Sequence, residues 1–106
     1  MRPNIEPILA ELRRQLELVY CDRLAHLLLF GSRARDDATE TSDIDLLVVL
    51  KGEVRPGQEI DRVGDITADV SLMYDVVISC VFVSESRWVC EHSPLLMNVR
   101  RDGVFV

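Results

Sequence analysis

Two pieces of this sequence hold residues whose type and spacing could do chemistry. Gly31-Ser32 is followed, after ten intervening residues, by Asp43-Ile44-Asp45 leading into the apolar run LLVVL. Strand side chains alternate faces, so Asp43 and Asp45 point one way and Ile44 and Leu46 the other. At about 5 Å and an effective dielectric near 20, two carboxylates repel by on the order of 3 kcal/mol, which calls for a cation or a shared proton. Oxygen-only ligands select Mg²⁺, or Mn²⁺, over zinc, and magnesium takes one or two carboxylates plus substrate phosphates.

A phosphate cradle is the feature to seek beside such a pair. Gly31 lets a backbone approach a ligand closely, the Ser32 hydroxyl can donate, and SRARDDA can open a helical turn whose free N–H groups face an anion. Arg33 and Arg35 place positive charge there, with Asp36, Asp37 and Glu40 as their other natural partners. Asp75 is the candidate third acid, expected at the start of a third strand, where it would complete a two-metal site. Taken singly, Gly31-Ser32 reads as an ordinary strand-ending turn, and Asp75 equally as a helix-to-strand connector.

The elements that must position these residues are legible as periodicities. Asn4 can cap a helix whose apolar residues Ile8, Leu9, Leu12, Leu16, Val19 and Tyr20 recur every three or four positions, ending near Asp22. LAHLLLF (24–30) and DIDLLVVL (43–50) have the length and continuity of buried strands, and KGEVRPG supplies turn chemistry. Gln58 to Tyr74 returns to helical period, and DVVISCVFV (75–83) reads as a third strand. Ser84 can cap a short helix through Cys90, and Ser93, Pro94, the late arginines and Gly103 form a complete set of helix signals. The final VFV has no assignment. Helices between and around apolar strands imply an α/β fold with both sheet faces covered, in one domain spanning 1–106.

Composition narrows the class. A chain of 106 residues, 48% hydrophobic, can bury a core without disulfides. Its three cysteines, Cys21, Cys80 and Cys90, are far apart and read as reduced, mostly buried thiols. No stretch approaches the roughly 18 apolar residues of a membrane span, so a cytoplasmic protein with no membrane partner is expected. Eighteen acids against 12 bases give −6, which disfavours stable nucleic-acid binding and suits a small-molecule or protein substrate. His26, inside an apolar strand, reads as a hydrogen-bonded structural histidine, and Trp88, Phe82 and Phe105 as core or interface residues.

GSRAR, then SDIDLLV, closely resembles the signature of the DNA polymerase β-like nucleotidyltransferase superfamily, and specifically its minimal stand-alone members, which are often encoded beside a HEPN-domain protein. The lead-in to YDVVIS and the tail SPLLMNVRRDGVFV extend the resemblance over nearly the whole chain; Asp36 stands where the family usually has glycine. The resemblance implies a polymerase β-like core, with helices around a three-stranded or slightly larger mixed sheet. It implies that Gly31 and Ser32 bind the β- and γ-phosphates, Asp43 and Asp45 hold two Mg²⁺ ions, and Asp75 ligates the nucleophile-side ion and helps deprotonate the attacking hydroxyl. The activity implied is transfer of a nucleoside monophosphate, AMP from ATP, to a hydroxyl of a HEPN toxin, making this chain an antitoxin. The other readings are a non-catalytic antitoxin that masks the toxin by contact and a nucleotidyltransferase subunit acting on a small molecule or RNA; an oligomer is compatible with each.

Overall fold

The computed structural model describes residues 5–31, Ala34 and 43–106. Helix α1 (Glu6–Tyr20) buries Ile8, Leu12, Leu16 and Tyr20, one residue per turn, along a single stripe. Pro7 is accommodated in its first turn; the expected cap Asn4 lies outside the described residues. A 3₁₀ turn (Cys21–Arg23) leads into β1 (Leu24–Phe30). β2 is Ile44–Leu50, α2 is Pro56–Tyr74, and β3 is Ile78–Ser84. α3 (Glu85–Cys90), α4 (Pro94–Asp102) and β4 (Val104–Phe105) complete the order.

The four strands form one mixed sheet in the order β3-β2-β1-β4. β1 runs antiparallel to β2 and to β4, while β2 and β3 are parallel, joined by the α2 crossover that parallel strands require. β2 is the central strand, buried throughout except at Asp45, which explains its nearly unbroken apolar sequence.

Alternation divides the strand residues between two layers. Leu27, Leu29, Ile44, Leu46, Val48, Leu50 and Phe82 pack with Ile8, Leu12, Leu16, Val63 and Val70 under α1 and α2. Leu28, Leu47, Val49 and Val83 pack with Leu96 and Val99 of α4, beside Trp88 and Phe30. Each such Leu or Val contributes about 1.5–3 kcal/mol relative to exposure.

Several expectations are corrected. The segment from Asp75 is not yet strand: Asp75 ends α2 in the left-handed conformation (φ 54°, ψ 53°), and β3 starts three residues later. Its backbone N–H and that of Val76 both reach the Ser71 carbonyl, closing the helix. α2 begins at Pro56, two residues earlier than the periodicity suggests, because proline fits a first turn. The unassigned tail is β4, paired to β1 at Leu28 and Leu29, with the Val106 N–H donating to the Leu27 carbonyl. Gly103 does stop α4, but with φ −68° its role is space: a Cβ there would collide with the Val99 carbonyl oxygen. Cys21 and Cys90 are exposed, and Cys80 is partly buried, its thiol pushed up to about 11 by desolvation. His26 is held by rings, Phe105 at 5.5 Å edge-on and Trp88 at 6.4 Å. Among the described residues no helix is long and apolar enough to cross a membrane.

Candidate active site

β1 and β2 are registered so that Phe30 stands opposite Asp45, with Ser79 of β3 on the other side. Ile44 and Leu46 are fully buried in the α1–α2 layer, so Asp43 and Asp45 project from the opposite face, which Leu47 and Val49 share further along β2. Asp43 is exposed at the mouth of the strand and Asp45 is partly buried. The Ile44 N–H donates to the Val77 carbonyl at 2.8 Å, fastening the acid-bearing end of β2 to the approach of β3.

Gly31 follows β1 directly and turns the chain at φ +75°, a conformation that glycine adopts without strain. A Cβ there would lie 2.5 Å from Oδ2 of Asp45. The carboxylate of Asp45 therefore rests against bare backbone. Desolvation pushes its carboxyl above the usual range, and the charge of Asp43 pushes it further in the same direction. The repulsion anticipated for the pair is a feature of this geometry, and it marks a place where a cation is favoured.

A divalent ion fits these donors: two carboxylates on an open sheet end, oxygen ligands only, beside a backbone approach that suits a phosphate. Asp43 and Asp45 would hold it. The third acid is placed differently. Asp75 is exposed at the end of α2, and among the described residues no group of three His, Cys, Asp or Glu side chains is arranged to hold a metal. Ser32, Arg33, Arg35 and Asp36 lie outside the described residues; Ala34 packs against the α1–α2 layer.

Sequence reasoning missed the contact between Gly31 and Asp45; a glycine ending a buried strand opposite an acid was the available signal. It also missed Glu59, which is 3% exposed and accepts a 2.9 Å hydrogen bond from the Tyr20 hydroxyl. Its position within the apolar period of α2 was the clue.

Residues 8–93 match the family model described as nucleotidyltransferase domain. Two Methanocaldococcus jannaschii proteins provisionally named protein adenylyltransferases are similar. MJ0141 is 33% identical over 78% of this chain and 83% of its own length. MJ0604 is 40% identical over 77% of this chain and 76% of its own length. Among solved structures, a toxin–antitoxin crystallised with AMP-PNP superposes with TM-score 0.64 at 18% identity, covering 94% of this chain and 70% of that one. A Sulfolobus solfataricus protein described as a nucleotidyltransferase gives 0.57 at 25% identity over 98% and 87%. The toxin–antitoxin MntA-HpeT, in a variant with Asp-to-Glu changes two residues apart, gives 0.61 at 16% identity over 97% and 71%. The mixed sheet and its helices are the polymerase β-like arrangement of those neighbours, and this chain belongs to the nucleotidyltransferase domain family.

Proposed function

We propose that the protein transfers AMP from ATP to a hydroxyl group of a partner protein, a HEPN-domain toxin, and so acts as its antitoxin in the cytoplasm. The observation that carries this reading is the Asp43–Asp45 pair at one sheet end, with the Asp45 carboxylate lying against the Gly31 backbone. The names of the curated relatives support a protein acceptor, and the neighbour crystallised with AMP-PNP supports an adenine nucleotide.

In the proposed reaction the acceptor oxygen bonds to the α-phosphorus, the bond from that phosphorus to the bridging oxygen breaks, and diphosphate leaves. Asp43 and Asp45 would hold Mg²⁺, which would supply positive charge to the triphosphate. Gly31 admits the phosphates to the backbone, and Ser32, Arg33 and Arg35 donate to them. Asp75 is the proposed acceptor of the hydroxyl proton; as a third ligand it would have to join Asp43 and Asp45 on metal binding, since no three-acid group is preformed among the described residues.

The test is to incubate the protein with ATP, Mg²⁺ and the product of the adjacent gene and to weigh that product. An adenylate gain is expected, reduced about 100-fold or more by Asp43→Ala, the scale of losing one transition-state charge partner. No gain on the wild-type reaction would overturn the reading. The absence of a preformed three-acid group among the described residues favours one second reading, an antitoxin that masks its toxin by contact alone. Under that reading Asp43→Ala and Asp45→Ala still neutralise the toxin; under the first they do not.

A further inference from the structure

The end of the sheet away from the acid pair holds a cavity of about 350 Å³, lined by Arg23, Lys51, Arg55 and Arg62 together with Glu53 and Glu59. Arg23 immediately precedes β1 and Lys51 immediately follows β2, joined by the Lys51 N–H donating to the Arg23 carbonyl at 2.8 Å. Asp45 stands at the opposite end of β2, about 20 Å away at strand rise.

Each guanidinium is fixed along one edge and open along another. Arg23 donates through Nε to the Lys51 carbonyl at 3.3 Å and through Nη2 to the Glu53 carbonyl at 3.0 Å. Arg55 donates through Nε to Glu53 at 3.0 Å, and Arg62 pairs with Glu59 at 3.3 Å. The three side chains keep 38%, 63% and 47% of their surface in solvent. The two acids do not cancel this charge. Glu59 is buried and occupied by the Tyr20 hydroxyl, Arg62 and, at 3.9 Å, Arg23, while Glu53 lies on the exposed rim with Arg55. Four cations against two acids leave +2 here, in a chain that carries −6 overall.

Planar guanidiniums held with free edges match phosphate oxygens, often two bonds at a time. The lining has no apolar side chain on which a nucleobase could rest. We propose that this cavity is a second anion site, independent of the Asp43–Asp45 end, that takes the phosphate groups of a small phosphate-class anion: free diphosphate, or the terminal phosphate of a longer molecule. It does not depend on the transferase reading.

The full chain, free of divalent metal, is titrated calorimetrically with inorganic diphosphate, and separately with a short 5′-phosphorylated oligonucleotide and its 5′-hydroxyl counterpart. Saturable binding of diphosphate supports the site as one for the free anion. Binding of the 5′-phosphorylated strand alone supports a terminal phosphate. Lys51→Gln combined with Arg55→Gln should weaken binding tenfold or more, with a thermal melt confirming that the variant folds and Lys51→Gln alone as the milder substitute. Asp43→Asn combined with Asp45→Asn should leave binding unchanged. No saturable binding, equal binding by the Lys51 and Arg55 variant, equal binding of both oligonucleotides, or loss of binding in the Asp43→Asn, Asp45→Asn variant would each overturn the proposal.

Discussion

At Gly31 two demands fall on one residue, and a second glycine elsewhere in the chain allows them to be separated. The backbone there has φ +75°, which costs an L-residue about 1–2 kcal/mol, and the Asp45 carboxylate occupies the space of a side chain. Gly52 has φ +80° but faces open space, with no atom within 4 Å of where a Cβ would stand. Gly52→Ala should therefore lose about 1 kcal/mol in urea unfolding, the backbone contribution alone. Gly31→Ala should lose more and, by pushing Asp45 aside, should also abolish the proposed AMP transfer. Equal losses of stability in the two variants would mean that the contact with Asp45 carries no energy. The same reasoning explains why a residue of so little chemistry belongs with the acids: it sets where one of them rests.

Among the elements, α4 shows how far local signals reach. Ser93 accepts from the Leu96 N–H, Pro94 occupies the first turn, and arginines fill the last turn, as the sequence indicates. Replacing Ser93 with Ala should cost about 1 kcal/mol in denaturant unfolding, the usual worth of such a cap, and release of α4 should loosen Leu96 and Val99 from the second layer. A loss below about 0.3 kcal/mol, under the usual range for such caps, would show that the 3.4 Å bond contributes little. β1 is legible to the residue, and β2 to within one, because both strands are apolar over nearly their full length. β3 is not, since its first residue is decided by a left-handed turn at Asp75 that no periodicity reports. β4 is two residues long and exists only because β1 has a free edge, a long-range fact with no local trace. The acid pair was readable from spacing alone; the proximity of Gly31 required the register of Phe30 against Asp45.

On the scale of the whole molecule, the Tyr20–Glu59 bond ties the end of α1 to the start of α2, between Arg23 and Arg62, which lie 5.8 Å and 5.9 Å from the Tyr20 ring. Burial, and then the hydrogen bond to Glu59, hold the Tyr20 phenol well above its ordinary value of 10.0. The sign follows directly. Above pH 10 the unfolded chain has released this proton while the folded chain still holds it, so the unfolded state binds fewer protons and stability falls as pH rises. Below pH 10 both states are protonated and the contribution is fully present. One proton of difference gives a slope of up to about 1.4 kcal/mol per pH unit. Tyr20→Phe removes both the bond and the titration: at pH 7 it should cost about 1.5–3 kcal/mol, the range for a hydrogen bond to a charged group. The gap between the wild type and this variant should then narrow from pH 10 to pH 11, with Lys51, the cysteines and Tyr74 cancelling because both proteins carry them. Urea unfolding at pH 7, 9, 10 and 11 reads this directly. A gap that stays constant across the series would show that the folded chain surrenders the phenolic proton as easily as the unfolded one, and that the junction of α1 with α2 is held by packing instead.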